Sequence, residues 1–173
     1  FLRILRPVPL ELDVRADLAR IAADTVELLE PQAMRAGVEL LALRGEAVEP
    51  VNADPMFIKQ ILINLVLNAV QAYQDSNLPE ERRTVTITTG RRKGDPFLSV
   101  ADQGPGISPE DQTRIFEPFF STKKDGSGLG LTLVRKMAAE MGGHIEVNSR
   151  IGKGTEFTIL FKGRRLIEAA PTA

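Results

Sequence analysis

"KKDGSGLGLTLVRKM", residues 123–137, places glycines at 126, 128 and 130 directly ahead of a run with helical apolar spacing. Glycine loses more backbone freedom on folding than any other residue, so such a cluster marks close approach to the backbone or a required positive φ. A helix N-terminus offers unpaired N–H groups and the positive end of a dipole, which suits an anion and above all a phosphate. Two common phosphate loops do not fit. The G-x-x-x-x-G-K-[ST] form is absent, since no Lys-Ser/Thr pair opens the helix. The G-x-G-x-x-G form fails because its third glycine is misplaced and the preceding "IFEPFFSTKKD", residues 115–125, is not a strand pattern. Another nucleotide-binding arrangement is required, with its remaining parts elsewhere in the chain.

Outward from this stretch, the expected helix runs from about Ser127 to Met141 and ends at Gly142-Gly143. "HIEVNSR" (144–150) and "GTEFTILF" (154–161) alternate as a closing hairpin, and "GRRLIEAAPTA" reads as a frayed tail. Upstream, Ser108-Pro109-Glu110-Asp111 opens a short helix ending near Phe116, and "VTITTGR" (85–91) and "FLSVAD" (97–102) read as strands. Asp54-Pro55 starts a helix that runs to about Tyr73. "LELDV", "VELLALR" and "EPVNA" are expected as strands, with a helix from Ala16 to Met34 closed by Gly37. "FLRILRP" reads as the last turns of an amphipathic helix stopped by Pro7. Helices and strands that do not alternate strictly imply an α+β chain, a two-layer α/β sandwich whose mixed sheet is covered on one face by helices.

Composition narrows the chemistry. The 173 residues, 43% hydrophobic and 26% charged, suit one domain with a sizeable core. A net charge of −1 argues against nucleic-acid binding, and the lack of cysteine removes thiol catalysis and Cys-ligated metals while fitting a reducing compartment. With His144 the one histidine, a Ser-His-Asp triad or a His metal site is not expected. No signal-peptide pattern and no apolar run of bilayer length is read from the sequence.

"DPMFIKQILINLVLNAVQAY", residues 54–73, is apolar almost all round, and its exceptions Gln60, Asn64, Asn68 and Gln71 fall on one stripe. Amides on a buried helix cost about 1–3 kcal/mol for each unmet group, so the stripe implies either a wet edge or a ligand. Asparagine suits a ligand, since its carbonyl oxygen can bind a hard cation such as Mg²⁺ while its NH₂ donates to a phosphate oxygen. In "VADQGPGIS", Asp102 ends a strand ahead of Gly104 and Gly106. A carboxylate only accepts, so a fixed Asp102 selects a donor such as an exocyclic amine, although D-x-G alone is ordinary turn chemistry.

In order, the chain shows Asn64/Asn68 on a helix, Asp102-Gly104-Gly106, "IFEPFFSTK" and "GSGLGL". This series resembles the N, G1, F and G2 boxes of the catalytic and ATP-binding domain of sensor histidine kinases of the nitrogen-regulation type. The wider superfamily holds the gyrase, Hsp90 and MutL ATPase domains, and the resemblance covers about residues 10–161. It implies a Bergerat fold, a mostly antiparallel mixed sheet and a mobile ATP lid. It implies that Asn68 binds Mg²⁺, that Asn64 lies one turn earlier near the phosphates, and that Asp102 holds the adenine amine. Gly104, Gly106 and Ile107 resemble the start of the lid, and Gly126, Ser127, Gly128, Leu129, Gly130 and Leu131 its end, where the next helix meets the phosphates. Lys123 is placed to reach them, and Thr155 is similar to a threonine near the adenine.

Where hydrolysing relatives and anti-sigma serine kinases carry a glutamate base, this chain carries Asn64, an amide that cannot take a proton. The resemblance therefore implies ATP with Mg²⁺ as cofactors, ADP as product, and γ-phosphoryl transfer to a histidine on a separate dimerisation and phosphotransfer domain, with a response regulator downstream. The alternatives are an anti-sigma-type serine kinase and a non-catalytic nucleotide-gated module. Residues 1–9 are expected as a remnant of the upstream helix and linker, 10–162 as the catalytic domain and 163–173 as tail. The domain is expected in the cytoplasm without membrane contact of its own, the full-length protein being open to a tether. Phe116, Phe119 and Phe120 could dock the lid on the partner hairpin or form a satellite cluster, and Tyr73 could face nucleotide or cap a helix. His144, ahead of Ile145 at a strand start, is expected to be structural rather than the acceptor.

Overall fold

A computed structural model describes residues 15–79, 83–122 and 126–161. The expected features at residues 1–14 and 162–173, "FLRILRP", "LELDV" and the tail among them, and Lys123 in the lid, lie outside the described residues. In chain order the elements are β1 (Arg15–Ala16), α1 (Leu18–Arg35), β2 (Glu39–Arg44), β3 (Val51–Asn52), α2 (Pro55–Gln74), β4 (Thr84–Arg92), β5 (Asp95–Asp102), α3 (Pro109–Gln112), α4 (Gly130–Glu140), β6 (Gly143–Arg150) and β7 (Gly154–Phe161).

A five-stranded sheet has the order β2-β4-β5-β7-β6. The β2–β4 pair is parallel and the other three pairs are antiparallel, so the sheet is mixed and mostly antiparallel as expected. Helices α1, α2 and α4 cover the face that carries Leu40, Val85, Ile87, Leu98, Val100 and Ile159. Alternation along the strands sends Thr86, Thr88 and His144 to the opposite face. Three expectations shift, and the short helix expected to end near Phe116 is one of them: α3 stops at Gln112 and gives way to turns. "EPVNA" shortens to β3, which pairs with β1 rather than with the main sheet; Pro50 has no N–H to extend the ladder. The helix expected from Ser127 starts at Gly130, because Gly128 has φ +67°, outside helical space.

Sequence-encoded caps start the first three helices. Asp17 accepts from Arg20 N at 3.1 Å, Asp54 from Met56 N at 2.8 Å and Ser108 from Asp111 N at 3.1 Å. α2 is the core helix, with Ile58, Leu62, Val66 and Tyr73 fully buried. Each such aliphatic contributes roughly 1.5–3 kcal/mol by leaving water. Its 20 residues and mean hydropathy of 1.2 do reach the length and apolarity of a bilayer span, which corrects the reading that no run does. Here those apolar faces are covered by α1, α4 and the sheet.

Tyr73 neither caps the helix nor faces a ligand. It is fully buried, its hydroxyl donates to the Thr84 carbonyl at 2.7 Å, and its oxygen accepts the Gln103 N–H at 2.6 Å. One phenol thus ties the end of α2 to the start of β4 and to the chain leaving β5. Removing that oxygen leaves the part-buried Gln103 N–H and Thr84 C=O with one partner fewer. Tyr73→Phe is expected to cost about 1–3 kcal/mol, read as a lower urea midpoint at unchanged slope; an unmoved midpoint would show that the bridge contributes nothing.

Candidate functional site

Between α2, the ends of β5 and β7, and the segment leading into α4 lies a cavity of about 520 Å³. Residues far apart in sequence converge on it: Asn64, Asn68 and Gln71 from α2, Asp102, Gly106 and Ile107 after β5, Gly126, Ser127, Gly128, Gly130 and Leu131 at the mouth of α4, and Thr155 from β7. Gln60, the first member of the amide stripe, is exposed and does not line it. Neither do Gly104 and Leu129, although both flank lining residues. The stripe carries no unmet polar burden. Among the described residues no buried side-chain nitrogen or oxygen lacks a partner.

The two ends of the cavity differ in character. At one, Val100, Ile107, Ile115 and Phe157 form apolar walls around Asp102 and Thr155. Such walls suit a flat ring, and the carboxylate and hydroxyl oxygens suit its polar edge. Asp102 accepts the Gly104 N–H at 2.8 Å, so the turn itself orients the carboxylate. Gly106, at φ +75°, lets this loop pass under the β6–β7 hairpin, where a Cβ would sit 2.2 Å from the Arg150 carbonyl oxygen. The hairpin returns the contact: Gly152 N donates to Pro105 O at 2.7 Å, Ile107 N to Ser149 Oγ at 2.8 Å, and Gln112 Nε2 to the carbonyls of Ile107 and Ser149 at 2.9 and 3.1 Å.

The other end is polar and built around the start of α4. Unlike the other helices, α4 begins at an N-cap, Leu129, that makes no side-chain capping bond. Among the described residues Ser127 Oγ accepts just the Leu129 N–H, at 3.4 Å. The first-turn N–H groups of α4 are therefore left to whatever enters the cavity, together with the positive end of the dipole. Asn64 donates its amide back to Gln60 O at 2.9 Å, and its Oδ1 lies 3.2 Å from where a Cβ on Gly130 would stand. A side chain at 130 would crowd that amide.

Several residues that the sequence alone does not place in the cavity belong to the site. Phe120, Ser121, Thr122 and Asp75 line the cavity, and Phe116 stacks edge-on against the wall residue Phe157, with ring centroids 6.4 Å apart. Phe119 is 77% exposed and sits at φ +65°, its N–H bound to Gly128 O at 3.0 Å. A phenylalanine triplet signals apolarity but not direction, so only the folded loop separates these roles. His144 is exposed, its Nε2 3.1 Å from Glu146 Oε1, on the sheet face away from the helices.

This convergence can now be set beside known proteins. The model of the family described as histidine kinase-, DNA gyrase B-, and HSP90-like ATPase matches residues 53–165. The chain belongs to this family. Sensor histidine kinase ZraS of Escherichia coli (strain K12) is 32% identical over 158 residues, which is 91% of this chain and 32% of ZraS. The chain thus spans about a third of the length of the curated relatives it matches. Among solved structures, the nucleotide-free catalytic domain of histidine kinase ThkA aligns with a TM-score of 0.72 at 30% identity, over 86% of this chain and 93% of that one. Full-length ShkA, solved in complex with AMPPNP, aligns with a TM-score of 0.73 at 33% identity, over 86% of this chain and 30% of ShkA. The chain therefore corresponds to the catalytic, ATP-binding part of the sensor histidine kinases, and the expected α+β sandwich is its fold.

In this histidine-kinase-type domain, Gly128 joins the start of α4 to the phenylalanine segment. A Cβ there would lie 2.4 Å from the Phe119 carbonyl carbon, at a φ that L side chains rarely adopt. Gly128→Ala should cost about 1–3 kcal/mol of local strain and raise hydrogen exchange at the Phe119 amide at least tenfold. Unchanged protection of that amide would contradict the geometry.

Proposed function

We propose that this domain binds Mg²⁺-ATP in the cavity and transfers the γ-phosphoryl group to a histidine supplied by a separate dimerisation domain. The observation that carries the reading is the convergence of four separated motifs on one cavity with an apolar, acceptor-bearing end and a polar end at an uncapped helix. Adenine belongs at the first end, its amine donating to Asp102 and its ring between Ile107, Val100 and Phe157. The phosphates belong at the second, against the amides of Gly128, Leu129, Gly130 and Leu131.

The donor set fits the metal in kind. Amide oxygens are hard ligands of the sort Mg²⁺ accepts, and Asn68 would hold it, with Asn64 beside it near the phosphates. When bound, Mg²⁺ supplies charge neutralisation to the phosphate oxygens. Lys123 would add a cation from the lid. The chain's own part is to orient and to exclude water. Asn64 offers no basic group, so water is not activated, whereas a neutral imidazole needs no strong base to attack. This combination favours transfer over hydrolysis. The cytoplasm, where ATP is found, is the setting we assign, with a response regulator as the onward acceptor.

Calorimetry with saturating Mg²⁺ should detect ATP binding, weakened about 10- to 100-fold by Asp102→Ala, the range of one hydrogen bond to a charged group. With radiolabelled ATP and a cognate helical hairpin, the label should be acid-labile, and Asn68→Asp should abolish its transfer. Acid-stable label on serine, or binding without any transfer, would replace the proposal with a serine kinase or a nucleotide-gated module.

A further inference from the structure

Beside the adenine end, the side chains of Ser149 and Thr155 meet with their oxygens 2.8 Å apart. Ser149 Oγ has two other neighbours whose polarity is fixed. The Gly154 carbonyl, 3.0 Å away, can only accept, and the Ile107 N–H, 2.8 Å away, can only donate. A serine hydroxyl has one proton and two lone pairs. Its proton therefore goes to Gly154 and one lone pair to Ile107, leaving a lone pair for Thr155. The Thr155 proton must be the one that fills that contact. Thr155 is itself 6% exposed and has no other side-chain partner among the described residues, so its remaining lone pairs are what it turns to the cavity it lines.

We infer that Ser149 is a specificity-determining residue: by taking the Thr155 proton it makes the base end of the cavity present acceptors alone, Asp102 and Thr155, and so selects a 6-amino over a 6-keto purine. The inference rests on the proposed ATP function of the same cavity. The group at position 6 decides: an amino group there donates to these oxygens, whereas a keto oxygen there would meet the Thr155 lone pairs even where the neighbouring N1–H finds Asp102, in an apolar surround where such opposition is least screened. Discrimination is sharpest where a wrong partner leaves polar groups unpaired. Ser149 acts here through Thr155 and is a positioning residue.

Without the serine hydroxyl, the Thr155 proton is released and can turn into the cavity, so Thr155 becomes able to donate to a keto oxygen. Ser149→Ala also removes an acceptor from Ile107 N–H, which should weaken all nucleotides alike. The informative quantity is therefore the ratio of ATP to ITP affinity, measured by calorimetry with Mg²⁺ on the folded domain. The ratio should fall about tenfold in Ser149→Ala, the worth of one hydrogen bond, and return in Ser149→Thr, which restores the hydroxyl. Thr155→Val, which deletes the acceptor itself, should lower the ratio in the same direction and carries the test should Ser149→Ala fail to fold. Equal loss of ATP and ITP affinity in these variants, with the ratio intact, would reduce Ser149 to a structural tie and overturn the inference. Absence of binding of either nucleotide to the unaltered protein would instead remove the function on which it rests.

Discussion

Helix α2 must satisfy two surroundings at once. Ile58, Leu62, Val66 and Tyr73 are sealed in the core, while Asn64, Asn68 and Gln71 on another side of the same helix line a polar cavity. A helix so apolar is held chiefly by packing, and the register of that packing fixes where its amides point. The sheet supplies the fixed surface: Ile87, Leu98, Val100 and Ile159 are buried against the helices from one face. Tyr73 then converts this packing into a site. Its hydroxyl locks the end of α2 to β4 and to Gln103, the residue after Asp102, so the carboxylate and the amides are positioned by one rigid body.

The segments that surround this body are held differently. The loop after β5 is pinned by the β6–β7 hairpin through Ser149, Gln112 and Gly152, whereas among the described residues the start of α4 is tied to the phenylalanine segment by the Phe119 N–H to the Gly128 carbonyl and by the Thr132 hydroxyl to the Phe116 carbonyl. Among the described residues the base end of the cavity is thus held by more bonds than the helix end. Preorganisation at the base end favours selectivity, and a looser helix end leaves room for adjustment around a charged group.

Much of this was legible from residue order. The proline and carboxylate at 54–55 marked the α2 cap, the glycines at 37 and 142 marked helix ends, and the four motifs in series implied both the sandwich and the cavity. What stayed hidden depended on register. Nothing local marks Tyr73 as the bridge between two strands, and Ser149 reads as an ordinary strand serine until β6 is paired with β7 at Ser149↔Thr155. The helix expected from about residue 127 starts at 130, since the positive φ at Gly128 that forbids the earlier start is a property of the folded loop. Gln60 lies on the amide stripe yet outside the cavity, since helical spacing gives a line but not the point at which the neighbouring wall ends.

The central claim is that one nucleotide spans this cavity from Asp102 to the start of α4. Titrating Mg²⁺-ATP into isotopically labelled protein and following amide resonances tests it directly. The account predicts shifts at Gly104 and Ile107, at the side-chain amides of Asn64 and Asn68, and at Gly130 and Leu131, with His144 and Glu146 on the opposite sheet face unmoved. Shifts confined to one end of the cavity, or centred on the outer sheet face, would contradict it.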